Sequence, residues 1–148
     1  MKQFNRKSPR ATWHKYNGGE YFITICTKNR IHYFGEIVDG ETQLTPIGGF
    51  LKSQLENTQT IQKGDVEIPI YVIMPDHVHF IVIINDLAKI NKLGFLIRGI
   101  KSSVTKYSYQ NALPFEWQSR YYDRIIRNQN EMNRIVENII NNPINWGK

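Results

Sequence analysis

From Tyr21 onward the chain changes hydrophobic rhythm several times, and the changes mark its elements. Tyr21 to Thr27 (YFITICT) is β-branched and aromatic, which predicts a strand. His32 to Val38, the pair Asp39-Gly40, and Glu41 to Leu44 read as a hairpin, with Asp-Gly as the two-residue turn. Thr45 suits a helix N-cap and Pro46 a first helical position, after which Ile47, Phe50, Leu51, Leu55 and Thr58 recur at helical spacing. Val66 to Met74 and His77 to Ile84 are apolar runs joined by Pro75-Asp76, a turn short enough to pair them antiparallel. A second helix from about Leu87 to Gln110 carries the stripe Leu93, Leu96, Ile97, Ile100, Val104 and Tyr107, with Ser102 and Thr105 among its polar residues opposite. Trp117 to Arg127 predicts a last strand. A third helix starts near Asn128, with Glu131 placed as in a capping box, and stops at Pro143. Its stripe is Met132, Ile135, Val136 and Ile139.

The order β-(hairpin)-α-β-β-α-β-α predicts an α+β sandwich, an antiparallel sheet with helices packed on one face. At 148 residues the chain suits one domain, residues 19–148, behind a basic arm, residues 1–18. No apolar run reaches the length of a membrane span, and no apolar segment follows the basic start. The lone cysteine, Cys26, excludes an internal disulfide framework, so the expectation is a cytoplasmic protein with no membrane partner. A net charge of +6 favours a polyanionic partner.

The candidate chemistry begins with YVIMPDHVHFIVII, where His77 and His79 interrupt an apolar run. Residues two apart on a strand share a face, so the two imidazoles stand side by side. Two readings are open: both rings are satisfied by backbone or carboxylate partners and only pack, or together they grip a divalent metal. His14 and His32 read as ordinary surface or hydrogen-bonding residues.

IMPDHVHFIV resembles the HUH signature (histidine, bulky hydrophobic residue, histidine) of the single-tyrosine transposases, in particular the branch of REP-associated tyrosine transposases. YFITICTKNRIHYFGE resembles that family's opening strand, WQSRYYDRIIRN its late segment, and Asn142-Pro143 with Trp146 its closing motif. The resemblance implies a ferredoxin-like (RRM-like) nuclease domain, often a homodimer, that cuts and rejoins single-stranded DNA beside hairpin or palindromic ends. It implies that His77 and His79 hold a divalent metal, Mg2+ or Mn2+, which polarises the scissile phosphate. A helix tyrosine then attacks and keeps the bond energy in a phosphotyrosine link.

The chain departs from the family at that tyrosine. The pattern Tyr-Ile-x-x-Asn-Pro reads Asn138-Ile139-Ile140-Asn141-Asn142-Pro143 here, so Asn138 stands at the nucleophile's position. An amide cannot form the covalent link. Asn142, one helical turn later, reads either as a third, oxygen ligand to the metal or as a helix cap before Pro143. The absence of the tyrosine admits a catalytically degenerate, domesticated DNA-binding protein, a substitute nucleophile, an altered residue, or hydrolysis by metal and water. Tyr121 and Tyr122 are the candidate substitutes, and aromatic packing on a strand is the alternative for both. DNA contacts are expected from Arg98, Lys101 and Lys106 on the second helix, and from Arg120 and Arg124 among the aromatics of the last strand. An RRM-like RNA binder lacks support, because no aromatic-rich RNP-type strand is present.

Overall fold

A computed structural model describes residues 19–61, 65–85 and 92–147. The expected basic arm, residues 1–18, and the expected start of the second helix before Lys92 lie outside them. The elements run β1 (Glu20–Thr27), a short 3-10 turn (Lys28–Arg30), β2 (Gly35–Val38), β3 (Glu41–Leu44), α1 (Pro46–Ile61), β4 (Val66–Met74), β5 (His77–Ile84), α2 (Lys92–Gln110), β6 (Trp117–Ile125) and α3 (Gln129–Asn145). Four strands form one antiparallel sheet in the order β4-β5-β1-β6, and β2-β3 form a separate hairpin. This is the α+β, ferredoxin-like arrangement, with the small hairpin inserted before α1.

Local chemistry explains where the elements start and stop. Asp39 and Gly40 both take positive φ, 52° and 76°, as the tight turn between Val38 and Glu41 demands. The Thr45 hydroxyl accepts the N–H of Gly48 at 3.1 Å, capping α1. Asn128 caps α3 by accepting the N–H of Glu131 at 2.8 Å, while the Glu131 carboxylate accepts the N–H of Arg127 at 2.9 Å. α3 does not stop at Pro143 as expected but runs to Asn145. A proline one turn from a helix end removes a single backbone hydrogen bond, and the chain behind it can still turn.

Two apolar layers lie on opposite faces of the sheet. α1 and α2 share one face as expected, seating Leu51, Leu55, Ile97 and Val104 on Ile23, Ile25, Val78, Phe80 and Val82. α3 departs from the expected single-face packing: it covers the other face, with Met132, Ile135 and Ile139 against Ile70, Val72, Met74, Ile81 and Ile83. The reason is that β4 and β5 are apolar on both sides, so each face must be buried.

An irregularity in β4 helps. Glu67 pairs with Ile83 and Ile70 with Ile81, so one extra residue sits at Ile68–Pro69. Proline has no N–H to give a sheet, and it sits on the edge strand where that matters least. Val66 and Ile68 therefore face α1 and α2, whereas Ile70, Val72 and Met74 face α3.

Phe80, fully buried between β5 and the paired helices, is the central support of the first layer. Phe80→Ala is expected to cost about 3–5 kcal/mol in chemical denaturation. A loss under about 1 kcal/mol would show that this layer is not packed as described.

Candidate functional site

β5 sends Val78, Phe80 and Val82 into the α1/α2 layer, so His77 and His79 project toward the α3 side. Their ring centroids lie 4.5 Å apart. Each ring is held through Nδ1. The Nδ1–H of His77 is 2.6 Å from Oδ1 of Asp76, the residue before it in the turn. His79 Nδ1 is 2.8 Å from Oγ1 of Thr24, its cross-strand neighbour on β1. Phe22 stacks on the His79 ring at 5.2 Å. With Nδ1 occupied in both, Nε2 is the nitrogen left to each ring for a further partner.

The electrostatics keep these rings uncharged. Burial pushes His77 below the ordinary histidine range, against the raising effect of its Asp76 hydrogen bond. His79 falls to about 3, first through burial and then through the nearby His77 and Arg30. Burial alone would raise Asp76, but hydrogen bonds from Arg30 and His77 outweigh it and hold the carboxyl below its usual range. Asp76 is thus an anion whose side chain is only 8% exposed, bonded to Arg30 Nε at 3.0 Å through its second oxygen. Two neutral imidazoles, each oriented by a second residue, meet the requirement for ligands to a cation.

α3 brings its asparagines to the same place. An open cleft of about 490 Å³ is lined by His77, His79, Asn138, Asn142, Phe22 and Met74, with Asn145 and Trp146 at its end. Asn142 lies inside α3 rather than at its cap, and its Nδ2 donates to the Asn138 carbonyl at 2.8 Å, leaving Oδ1 to the cleft. Asn138 is exposed on the turn before it. Among the described residues no three His, Cys, Asp or Glu side chains cluster as a metal site. Any cation here would depend on two imidazoles and an amide oxygen.

The two tyrosines separate. Tyr121 pairs with Ile25 and packs into the α1/α2 layer, on the far side of the sheet from the histidines. Tyr122 pairs with Thr24 and therefore shares the histidine face, 59% exposed. The expected DNA-contacting cations are also divided. Arg124, paired with Phe22, is on the histidine face, with Nη2 3.0 Å from Glu131. Lys101 and Lys106 belong to the other side, in a separate cleft of about 520 Å³ with Ser102, Thr105, Tyr109 and Trp117. There Lys101 Nζ donates to the Gln118 carbonyl at 2.9 Å. Arg98 is exposed on α2 and Arg120 in the irregular stretch between Trp117 and Tyr121.

Sequence reasoning passed over Asp76, Thr24 and Arg30. Asp76 was legible in principle, since it adjoins His77. Thr24 emerges only from strand register, and Arg30 only from the path of a loop.

A family model described as "Transposase IS200 like" matches residues 15–142. An uncharacterized protein of Haemophilus influenzae is 34% identical over 163 aligned positions, covering 96% of this chain and 90% of its own. A REP-associated tyrosine transposase, solved bound to a REP hairpin, superposes with a TM-score of 0.65 and 23% identity, covering 99% of this chain and 75% of that one. A putative transposase from Deinococcus radiodurans gives a TM-score of 0.44 at 22% identity, over 93% of this chain and 97% of its own.

Proposed function

The chain belongs to the IS200-like transposase family, and from that premise we propose that it binds single-stranded DNA beside a hairpin at the cleft between β5 and α3. The observation that carries this reading is the convergence of His77, His79, Asn138 and Asn142 on one cavity. A relative of the same fold is bound to a hairpin, and the net charge of +6 suits a polyanion. A homodimer is part of the same reading.

The residues present fit a divalent cation. His77 and His79 would hold it through Nε2, with Asp76 and Thr24 fixing the rings, and Asn142 Oδ1 would be the third protein donor. Of Mg2+ and Mn2+, two imidazoles suit Mn2+ better, since magnesium prefers oxygen ligands. The chemistry such an ion supplies is polarisation of a phosphate oxygen.

Asn138 sets the limit of the activity. Its amide cannot attack phosphorus and leave a reversible link, so DNA binding is retained while covalent strand transfer is weakened or lost. One observation favours a second reading, cleavage through Tyr122, because that hydroxyl shares the histidine face. Labelled stem-loop DNA with a single-stranded extension, incubated with Mn2+, separates them. The expected result is a retarded complex on a native gel and no adduct on a denaturing gel. A stable adduct would refute the loss of covalent chemistry, and its disappearance in Tyr122→Phe would establish the second reading. Absence of any native complex would sink both.

A further inference from the structure

The 3-10 turn after β1 is built at a backbone cost. Asn29 and Arg30, neither of them glycine, both take left-handed φ, 57° and 55°. Such conformations persist where the surroundings over-determine them. Here they do: the Thr27 N–H donates to the Asp76 carbonyl at 3.0 Å, and the Thr27 hydroxyl contacts the same carbonyl at 3.1 Å and Ile31 O at 2.7 Å. The Phe34 N–H donates to the Pro75 carbonyl at 3.0 Å. The loop is thus stitched at several points to the turn that precedes the histidines.

What this delivers is a guanidinium. Arg30 bonds Asp76 through Nε, and its Nη2 stands 3.3 Å from Nδ1 of His77. Since that Nδ1 proton already serves Asp76 at 2.6 Å, Arg30 is a neighbour of the ring rather than its donor. The Arg30 side chain is 55% exposed although Asp76 is buried. An arginine fixed by Nε to a buried carboxylate keeps its Nη hydrogens for another partner, in the fork geometry that matches two phosphate oxygens. Around it the site offers two neutral imidazoles and the amides of Asn138 and Asn142. Tyr122 stands across β1 on the same face, within electrostatic reach of Arg30.

We infer that Arg30 grips a phosphodiester of the DNA strand seated at the histidines, with Tyr122 beside it as a stacking surface for an adjacent base. Asp76 then has two tasks, orienting His77 and holding the arginine at a fixed distance from it. The inference rests on the proposed DNA-binding reading and adds the contact that places the strand.

The test compares wild type, Arg30→Gln and Arg30→Lys by titration with stem-loop oligodeoxynucleotides bearing a single-stranded extension. Single methylphosphonates, which remove one phosphate charge, are moved along the extension. Arg30→Gln is expected to weaken binding by about ten- to hundredfold, the range for a lost charged hydrogen bond. The salt dependence should become shallower by about 0.7 in log–log slope. Arg30→Lys, which keeps the charge without the fork, should recover part of the loss. At one linkage the methylphosphonate should erase the difference between wild type and Arg30→Gln, while Mn2+ affinity, measured without DNA, stays within about twofold of wild type. A difference that survives at every linkage, or a parallel loss of Mn2+ affinity, overturns the inference and leaves Arg30 only a support for His77. Wild-type protein that binds none of these oligonucleotides overturns the DNA reading itself, and the inference with it. Wild-type binding that Arg30→Gln matches overturns the inference alone.

Discussion

Asn138→Tyr is expected to convert this protein into one that links itself to DNA. Asn138 is exposed on α3, one turn before Asn142, and lines the cleft that contains both histidines. A phenol placed there would share that cleft with the histidines, where the proposed phosphate would lie. The attack would form an Oη–P bond with loss of the phenol proton and break the P–O3′ bond, the departing O3′ taking up a proton to become a free 3′-hydroxyl. Tyrosine and asparagine have similar helix propensities, and the position is solvated, so folding should change by no more than about 0.5 kcal/mol. With stem-loop DNA and Mn2+, adduct formation should exceed that of the parent on the order of 10³-fold or more, the scale on which covalent enzymes depend on their nucleophile. Peptide mapping of the adduct should place the phosphate on residue 138. A variant that folds and binds the stem-loop yet gives no adduct would mean that the strand lies elsewhere.

The second large effect concerns the histidines. His77→Ala or His79→Ala is expected to weaken Mn2+ binding by about 10²-fold or more, because even the residues that orient metal ligands cost 10- to 100-fold. Titration calorimetry or the loss of free-Mn2+ signal in electron paramagnetic resonance measures it directly. The pH profile distinguishes this site from a pair of ordinary histidines. Protons compete with a metal for the neutral ring, and an unperturbed ring is half protonated near pH 6.5. Here both rings are shifted downward, His79 to about 3, so the neutral form persists below pH 6.5. Mn2+ affinity should therefore stay nearly level as pH falls from 8 through 6.5 and decline only below that. The same shifts act on stability with the matching sign. The unfolded chain takes up protons below pH 6.5 before the folded one does, so the metal-free fold weakens as pH drops from 6.5 toward the folded values. Affinity that halves around pH 6.5 would show that the rings are not buried as described, and equal affinity in the alanine variants would remove the metal from the reading.

Much of this architecture is written in local pattern, and the exceptions have physical causes. The Asp39-Gly40 turn, the Thr45 and Asn128 caps and the side-by-side histidines follow from short-range chemistry that needs no knowledge of the rest of the fold. The seat of α3 does not. Its stripe of Met132, Ile135 and Ile139 declares an apolar face but not which side of the sheet receives it. That choice depends on β4 and β5 being apolar on both sides. Asn142 shows the same limit at the level of one residue. A polar residue before a proline reads as a helix end until the helix is seen to pass through Pro143. Tyr121 and Tyr122 were indistinguishable in sequence, and pairing register alone puts one, half-buried, against the α1/α2 layer and the other beside the histidines. Arg30 was hidden for a further reason: its approach to Asp76, 46 positions away in the chain, depends on two left-handed residues that no hydrophobic pattern announces.

The extra residue at Ile68–Pro69 sets a rule for how this sequence can drift. Removing one position there would restore a regular ladder and leave Ile70, Val72 and Met74 on the α3 side. Removing two would turn them toward α1 and α2 and leave α3 facing Tyr71 and Ile73. Loss of the one extra residue in this edge strand is therefore tolerable, and loss of a second is ruinous. A gap of two residues here, in an alignment of any descendant, would mark a chain whose third helix has lost its bed.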